Sequence, residues 1–164
     1  GDNFQNLLNK IFISKVKIEY PVYFKVMHSD SVQGKYKVNE KIDGAIRYSF
    51  VATRYDYLRI AKAMMDDWQK DTCAGKYLKD LYKNKIPKND KYKDDNNATL
   101  NSKSYAGQFH TDYSGLKDRV IMGMDGASGQ SILIDFERSK IVVINSIHTD
   151  YNWKKIAHSV IKKG

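Results

Sequence analysis

The residues of this 164-residue chain that could do chemistry are densest in one glycine-rich stretch. Gly123, Gly126 and Gly129 fall within seven residues, and glycine lets the backbone come close to another strand or to a substrate. Asp125 stands among them, where its carboxylate could meet an amino group or simply favour a turn. The stretch is therefore either a tight hairpin or one wall of a binding site.

Short apolar runs on both sides must position this stretch. They are Val120–Met122, Ser131–Ile134 and Ile141–Ile144, with the acidic turn Asp135–Lys140 between the last two. Their β-branched residues and polar punctuation predict two or three antiparallel strands. A final helix should follow, capped by Asp150, with an apolar face formed by Trp153, Ile156, Ala157, Val160 and Ile161. The predicted fold class is α+β, an antiparallel sheet finishing in a β-hairpin and a C-terminal helix packed on it.

Helical patterns precede the sheet. Thr53 and Asp56 have capping-box spacing, and one apolar stripe of Leu58, Ala61, Met65 and Trp68 follows them. A shorter helix is predicted from Lys76 to Lys85, ended by Pro87. Polar, charged stretches at 29–44 and 88–97 predict loops.

The secondary structure of the first 26 residues is predicted less clearly. Phe4, Leu7, Leu8 and Ile11 have helical spacing and predict a helix that packs one face inward. Residues 13–26 alternate in part and contain Pro21, which favours an edge strand or an extended arm.

Composition narrows the function classes. The length fits one domain, or a fragment of one. The charge of +9 comes mainly from 23 lysines against 5 arginines, whereas base-specific readout favours arginine, so nucleic-acid binding is disfavoured. Cys73 is the single cysteine, and the four histidines do not cluster with acids, so no metal or other cofactor is expected. No apolar run approaches the ~20 residues of a membrane span.

Three stretches, in order along the chain, resemble one known family. Thr53–Ile60 is similar to the start of one of its helices, and Tyr105-Ala106-Gly107-Gln108-Phe109 to a strand before its last hairpin. The sharpest resemblance is Gly126-Ala127-Ser128-Gly129-Gln130 through Arg138, followed by Ile141–Ile144. The family is that of the serine β-lactamase-like hydrolases, which includes class C β-lactamases, penicillin-recognising peptidases, esterases and 6-aminohexanoate-dimer hydrolases. Phe136 stands where the family more often has proline.

The resemblance implies three catalytic motifs, of which this chain carries the position of the third. That position is Met124-Asp125-Gly126, with Ala127 as a backbone donor to the oxyanion hole and Ser128 beside the substrate. Met124 replaces a cationic or histidine residue, so the charge that would attract a substrate carboxylate is missing. This argues for an amide, an ester or an amino-terminated substrate.

The resemblance also implies a Ser-x-x-Lys motif, because a serine hydroxyl needs a neighbouring base to become a nucleophile. Ser14 and Ser159 are among the matches to this pattern, but 12 serines and 23 lysines in 164 residues give about 1.7 matches by chance. Neither has the family's position along the chain. The nucleophile, its lysine and a catalytic tyrosine are therefore expected in a missing N-terminal half.

Together these observations predict the C-terminal part of a serine hydrolase, inactive alone, whose partners are a small amide or ester and the missing half. Export is compatible with the resemblance, and so is a cytoplasmic location. Two alternatives stay open: a non-catalytic module that binds an anionic ligand or polymer through its lysines, and a catalytically dead family member.

Overall fold

The computed structural model describes residues 2–27, 47–88, 100–116, 118–126, 129–146, 148 and 151–163. The predicted loops at 29–44 and 88–97 lie, except for Lys88, outside these residues. By compactness the chain divides into two units, residues 1–56 and 57–164. The expectation of one domain, or of a fragment of one, stays a prediction.

The first unit begins with two helical segments and a two-stranded sheet. Helix α1 spans Asp2–Ile11, and a π-helical turn spans Phe12–Val16. Strands β1 (Tyr23–Met27) and β2 (Arg47–Val51) pair antiparallel. The arm predicted over 13–26 is thus partly wrong, because its first residues are helical and only its last ones form a strand.

The predicted inward face of α1 is also largely wrong, since Leu8 is the one of its four apolar residues that is half-buried. Phe4, Leu7 and Ile11 are 60%, 53% and 40% exposed. Their spacing does produce a helix, but periodicity cannot say whether a partner surface covers the apolar side. Among the residues of this unit whose burial the structure describes, the buried apolar side chains are instead those of Ile18 and Val22.

Helix α2 spans Arg54–Gln69 and begins as the capping pattern predicts. Thr53 Oγ1 accepts a hydrogen bond from the backbone N–H of Asp56 at 3.1 Å and donates one to its carboxylate at 2.7 Å. The same carboxylate, fully buried, accepts from the N–H of Glu19 at 2.8 Å. Asp56 therefore ties the helix start to the chain segment before β1.

Helix α3 spans Cys73–Lys83, with Thr72 as its N-cap. The helix was predicted near here, but it begins and ends earlier along the chain. Pro87 does not end the helix. It lies in the short strand β3 (Ile86–Pro87), at the edge of the sheet, where a missing N–H costs least.

The second unit is built on a six-stranded antiparallel sheet in chain order. After β3 its strands are β4 (Ser102–Ala106), β5 (Phe109–Tyr113), β6 (Ile121–Asp125), β7 (Ser131–Asp135) and β8 (Lys140–Ile144). The three predicted strands are confirmed, and the Tyr105–Phe109 stretch is a hairpin that turns at Gly107, whose φ is 63°. Strand β6 is longer than predicted and takes in Gly123, Met124 and Asp125.

The sheet carries an apolar cluster on each face. On one face Ile121, Leu133 and Val142 pack against α4 (Trp153–Lys162). On the other face Met122, Ile132 and Ile134 pack with residues of α2 and α3. The α+β class and the packed C-terminal helix are confirmed.

Helix α4 differs from its prediction in two details. Its N-cap is Asn152, whose side chain accepts from the N–H of Lys155, whereas Asp150 lies outside the described residues. Trp153, Ala157 and Ile161 are buried, but Ile156 and Val160 are 44% and 47% exposed. A single helix covering a sheet buries a narrower stripe than the five predicted residues.

Candidate active site

The predicted motif lies at the C-terminal end of β6. Met124 pairs with Ile132 and Asp125 pairs with Ser131 across the β6–β7 ladder, and Gly126 follows the strand. Burial decreases along β6, from fully buried residues at its start to an exposed Asp125. The motif thus lies at the end of an interior strand, where the chain passes from the core to the surface.

Met124 packs into the apolar cluster beneath α2 and α3 and is partly buried there. Its side chain contributes to packing at the position where the resemblance would imply a cation or a histidine. No point charge therefore stands at this position of the strand.

Asp125 is held from across the ladder. Its Oδ1 accepts a hydrogen bond of 2.6 Å from the hydroxyl of Ser131, which is 2% exposed. A charged acceptor makes such a bond shorter and stronger than a neutral one. The carboxylate therefore has a fixed position at the rim of the sheet.

The turn between β6 and β7 is fixed at both sides. The N–H of Gly126 donates to the carbonyl of Gln130 at 2.9 Å, and the Gln130 amide donates to the carbonyl of Ser146 at 2.8 Å. Gly129 has a φ of 82°, and a Cβ there would lie 3.1 Å from the carbonyl oxygen of His148. The described ends of this turn are thus held by hydrogen bonds and by the positive φ of Gly129, which is compatible with a structural role and with a site.

Tyr113 lies under the strand that carries the motif. A Cβ on Gly123 would overlap its hydroxyl oxygen, so Gly123 is needed to leave room for the phenol. The hydroxyl is buried without a hydrogen-bond partner among the described residues. Burial, and then the negative charge of Asp125, raise the pKa of Tyr113 well above its ordinary value of 10.0. Tyr113 stays a neutral phenol at physiological pH and cannot serve as a base.

The remaining predicted site residues, Ala127 and Ser128, lie outside the described residues. Two serines that match Ser-x-x-Lys, but were not expected to supply the nucleophile, are described. Ser14 lies in the π-helical turn, and Ser159 donates its hydroxyl hydrogen to the carbonyl of Ile156 at 2.8 Å. A serine that bonds the backbone of its own helix is not arranged as a nucleophile.

A polar cluster that sequence patterns missed joins β3, β4 and β5. Ser102 Oγ accepts a hydrogen bond from the ammonium of Lys88 and lies 3.0 Å from Nδ1 of His110. The ring of His110 also stands edge-on to that of Tyr105, 4.9 Å away. Serine and histidine are within proton-transfer distance, but Ser102 is only 5% exposed, so a substrate cannot reach it. Lys88, Ser102 and His110 are 8 to 22 positions apart in sequence, and no local motif spans such distances.

A cleft of about 430 Å³ opens near the start of β6. Its lining includes Lys85, whose ammonium lies 2.5 Å from Asp112 and 4.1 Å from the centre of the Tyr82 ring. Burial alone would lower the pKa of Lys85, but its hydrogen bonds to Asp112 and Tyr82 raise it above the ordinary value. The cleft also contains both signs of charge, so its lining does not select one class of ligand.

The start of β6 is anchored by a buried ion pair. The guanidinium of Arg119 contacts the carboxylate of Asp135, which is fully buried, and donates to the carbonyl of Ile161 at 3.0 Å. Asp135 also accepts from the N–H of Arg138 at 3.1 Å. This network joins β6, β7 and α4 at the end of the hairpin opposite to the motif.

Among the described residues, no group of three or more histidine, cysteine or acidic side chains is arranged to hold a metal ion. None of the helices in the described ranges has the length and apolar character that crossing a bilayer requires. No family model, no curated protein and no solved structure matches this chain.

Proposed function

We propose that this chain is the C-terminal part of a serine hydrolase of the β-lactamase-like family, with residues 123–131 as one wall of the active site. The observation that supports this best is the position of Met124-Asp125-Gly126. The motif stands where an interior strand of an antiparallel sheet reaches the surface, beside a turn fixed by Gly126 and Gln130.

In the proposed reaction, a serine hydroxyl from outside these 164 residues attacks an amide or ester carbonyl. Its proton passes to a neighbouring base as the bond from serine oxygen to carbonyl carbon forms. The C–N or C–O bond to the leaving group then breaks, and the leaving group takes the proton. Water hydrolyses the resulting acyl-enzyme, which returns the serine and releases the acid.

This chain would contribute the backbone that surrounds the carbonyl. The N–H of Ala127 would donate to the oxygen that becomes negative in the tetrahedral intermediate, and the absence of a side chain on Gly126 would let the substrate approach. Tyr113 does not supply the catalytic tyrosine, since it is buried and its pKa is raised. That group would come from the same segment as the nucleophile.

The test uses the full-length protein that contains this chain. We expect a Ser-x-x-Lys in its other part, labelling of that serine by a fluorophosphonate probe, and hydrolysis of p-nitrophenyl esters that a serine-to-alanine variant abolishes. These 164 residues alone should show neither activity nor labelling. A full-length protein without labelling and without turnover would contradict the proposal.

A substitution within this chain tests the oxyanion donor. Ala127→Pro removes the backbone N–H and should lower kcat about 100- to 1,000-fold, the range for the loss of one such donor. Ala127→Gly keeps the N–H and is the matched control, expected to stay within a few-fold of wild type. Equal losses in both variants would show that Ala127 is not a donor.

A further inference from the structure

Asp125 differs from an ordinary turn aspartate. It is the last residue of β6, in register with Ser131, and its φ is not positive. A turn aspartate usually accepts from a backbone N–H two residues further on, whereas Asp125 Oδ1 accepts from the Ser131 hydroxyl across the ladder. Among the described residues, its carboxylate accepts a hydrogen bond from the facing strand and not from within the turn.

The surroundings of this carboxylate lack a positive charge. No lysine or arginine among the described residues lies within ion-pair distance of Asp125, although the chain has 28 such residues. On one side is Met124, which packs inward, and on the other is Gly126, which has no side chain. The carboxylate is exposed, fixed and without a counter-charge in the described structure.

We propose that Asp125 is a subsite for a positively charged group on the acyl part of the substrate, with Ser131 as the residue that positions it. This inference rests on the proposed function and adds the class of substrate, a cationic ester or amide. The group would be an ammonium or a guanidinium.

One electrostatic feature of the sheet supports the proposal, and the net charge of the chain does not outweigh it. The negative charge of Asp125 contributes to the raised pKa of Tyr113, so its field reaches into the sheet. The net charge of +9 would repel a cation at long range, but a Debye length of about 8 Å at physiological salt screens distant lysines. The nearest fixed charge, that of Asp125, then determines whether a cationic or a neutral group is favoured at this position.

The experiment compares two substrates of the full-length enzyme. One is the p-nitrophenyl ester of trimethylammonio-butanoate, and the other is its neutral isostere, with a tert-butyl group in place of trimethylammonium. Wild type should prefer the cationic ester about fivefold in kcat/KM, the upper end for a solvent-exposed ion pair. The preference should decrease as salt is added.

Three variants test whether the preference for the cationic ester is due to Asp125. Asp125→Asn should reduce the ratio of kcat/KM for the cationic ester to kcat/KM for the neutral ester to about one, mainly by raising KM for the cationic ester. Ser131→Ala should weaken the preference, because the carboxylate is no longer held. Asp118→Asn is the matched control: it removes one exposed carboxylate near the start of β6, and asparagine tolerates its φ of 64°. This control should retain the preference.

The outcomes separate the two proposals. If both esters are hydrolysed with equal efficiency, or if Asp118→Asn lowers the preference as much as Asp125→Asn, the subsite is refuted and the serine hydrolase stands. If neither ester is hydrolysed and no serine is labelled by a fluorophosphonate, the serine hydrolase itself is refuted.

Discussion

The two ends of the β6–β7 hairpin use an aspartate in opposite ways. Asp135 is fully buried and bonded to Arg119 and to the N–H of Arg138, whereas Asp125 is exposed and, among the described residues, is held by Ser131. The buried carboxylate joins three elements, and the exposed one leaves an oxygen for something else. The difference separates an aspartate that stabilises the fold from one that is available to a ligand.

The variant with the largest expected effect on stability is Asp135→Asn. It would leave the Arg119 guanidinium buried without its counter-charge, and breaking a buried pair in this way costs about 3–5 kcal/mol. We expect a loss of this size in the free energy of unfolding, measured with urea. A loss below about 1 kcal/mol would show that the network is not a structural anchor.

Gly123→Ala tests the strand between the two ends. The added methyl would overlap the Tyr113 hydroxyl, and forcing extra atoms into a packed core costs about 1–3 kcal/mol. The same change in a Tyr113→Phe background should cost less, because the phenol oxygen is gone. Equal costs in the two backgrounds, measured by denaturant unfolding, would contradict the proposed clash.

The raised pKa of Tyr113 also predicts that the free energy of unfolding depends on pH. Because its folded pKa is raised above 10.0, its contribution to stability is fully present below pH 10.0 and is lost as pH rises toward the folded pKa. The slope for one such group is at most about 1.4 kcal/mol per pH unit. Tyr113→Phe should flatten the decrease above pH 10.0, and Tyr77→Phe, at a residue 63% exposed, should not.

The smallest expected effect is that of Asp125→Asn on stability. The site is exposed, and the asparagine oxygen can still accept from Ser131, so the change should stay within about 0.5 kcal/mol. The difference between the destabilisation by Asp125→Asn and that by Asp135→Asn measures directly how differently the two aspartates contribute to stability. A destabilisation as large as that of Asp135→Asn would make Asp125 structural and remove the reason to regard it as a ligand site.

The elements that sequence predicted best are those that local rules determine. The Thr53–Asp56 pattern located the start of α2, and β-branched runs located β6, β7 and β8, because caps and strand propensities act over a few residues. The exposed face of α1 was not predictable in this way. Whether an apolar stripe is covered depends on the rest of the fold.

The candidate site was only partly visible in the sequence. The position of Met124-Asp125-Gly126 was predicted, and Asp125 was expected either to meet an amino group or to favour a turn. Its bond to Ser131 was not predicted, because that bond depends on strand register. The room that Gly123 leaves for Tyr113 depends on packing between strands in the same way. Glycine in a turn and glycine in a strand look alike in sequence.

The contact between Arg119 and the end of α4 also has a consequence during synthesis. The guanidinium donates to a carbonyl 42 residues further along, at Ile161, and the ammonium of Lys140 donates to the same carbonyl at 3.2 Å. Chains are made from the N-terminus, so both side chains are present before the last helix that binds them. The sheet must therefore keep this charged end in water until α4 has emerged.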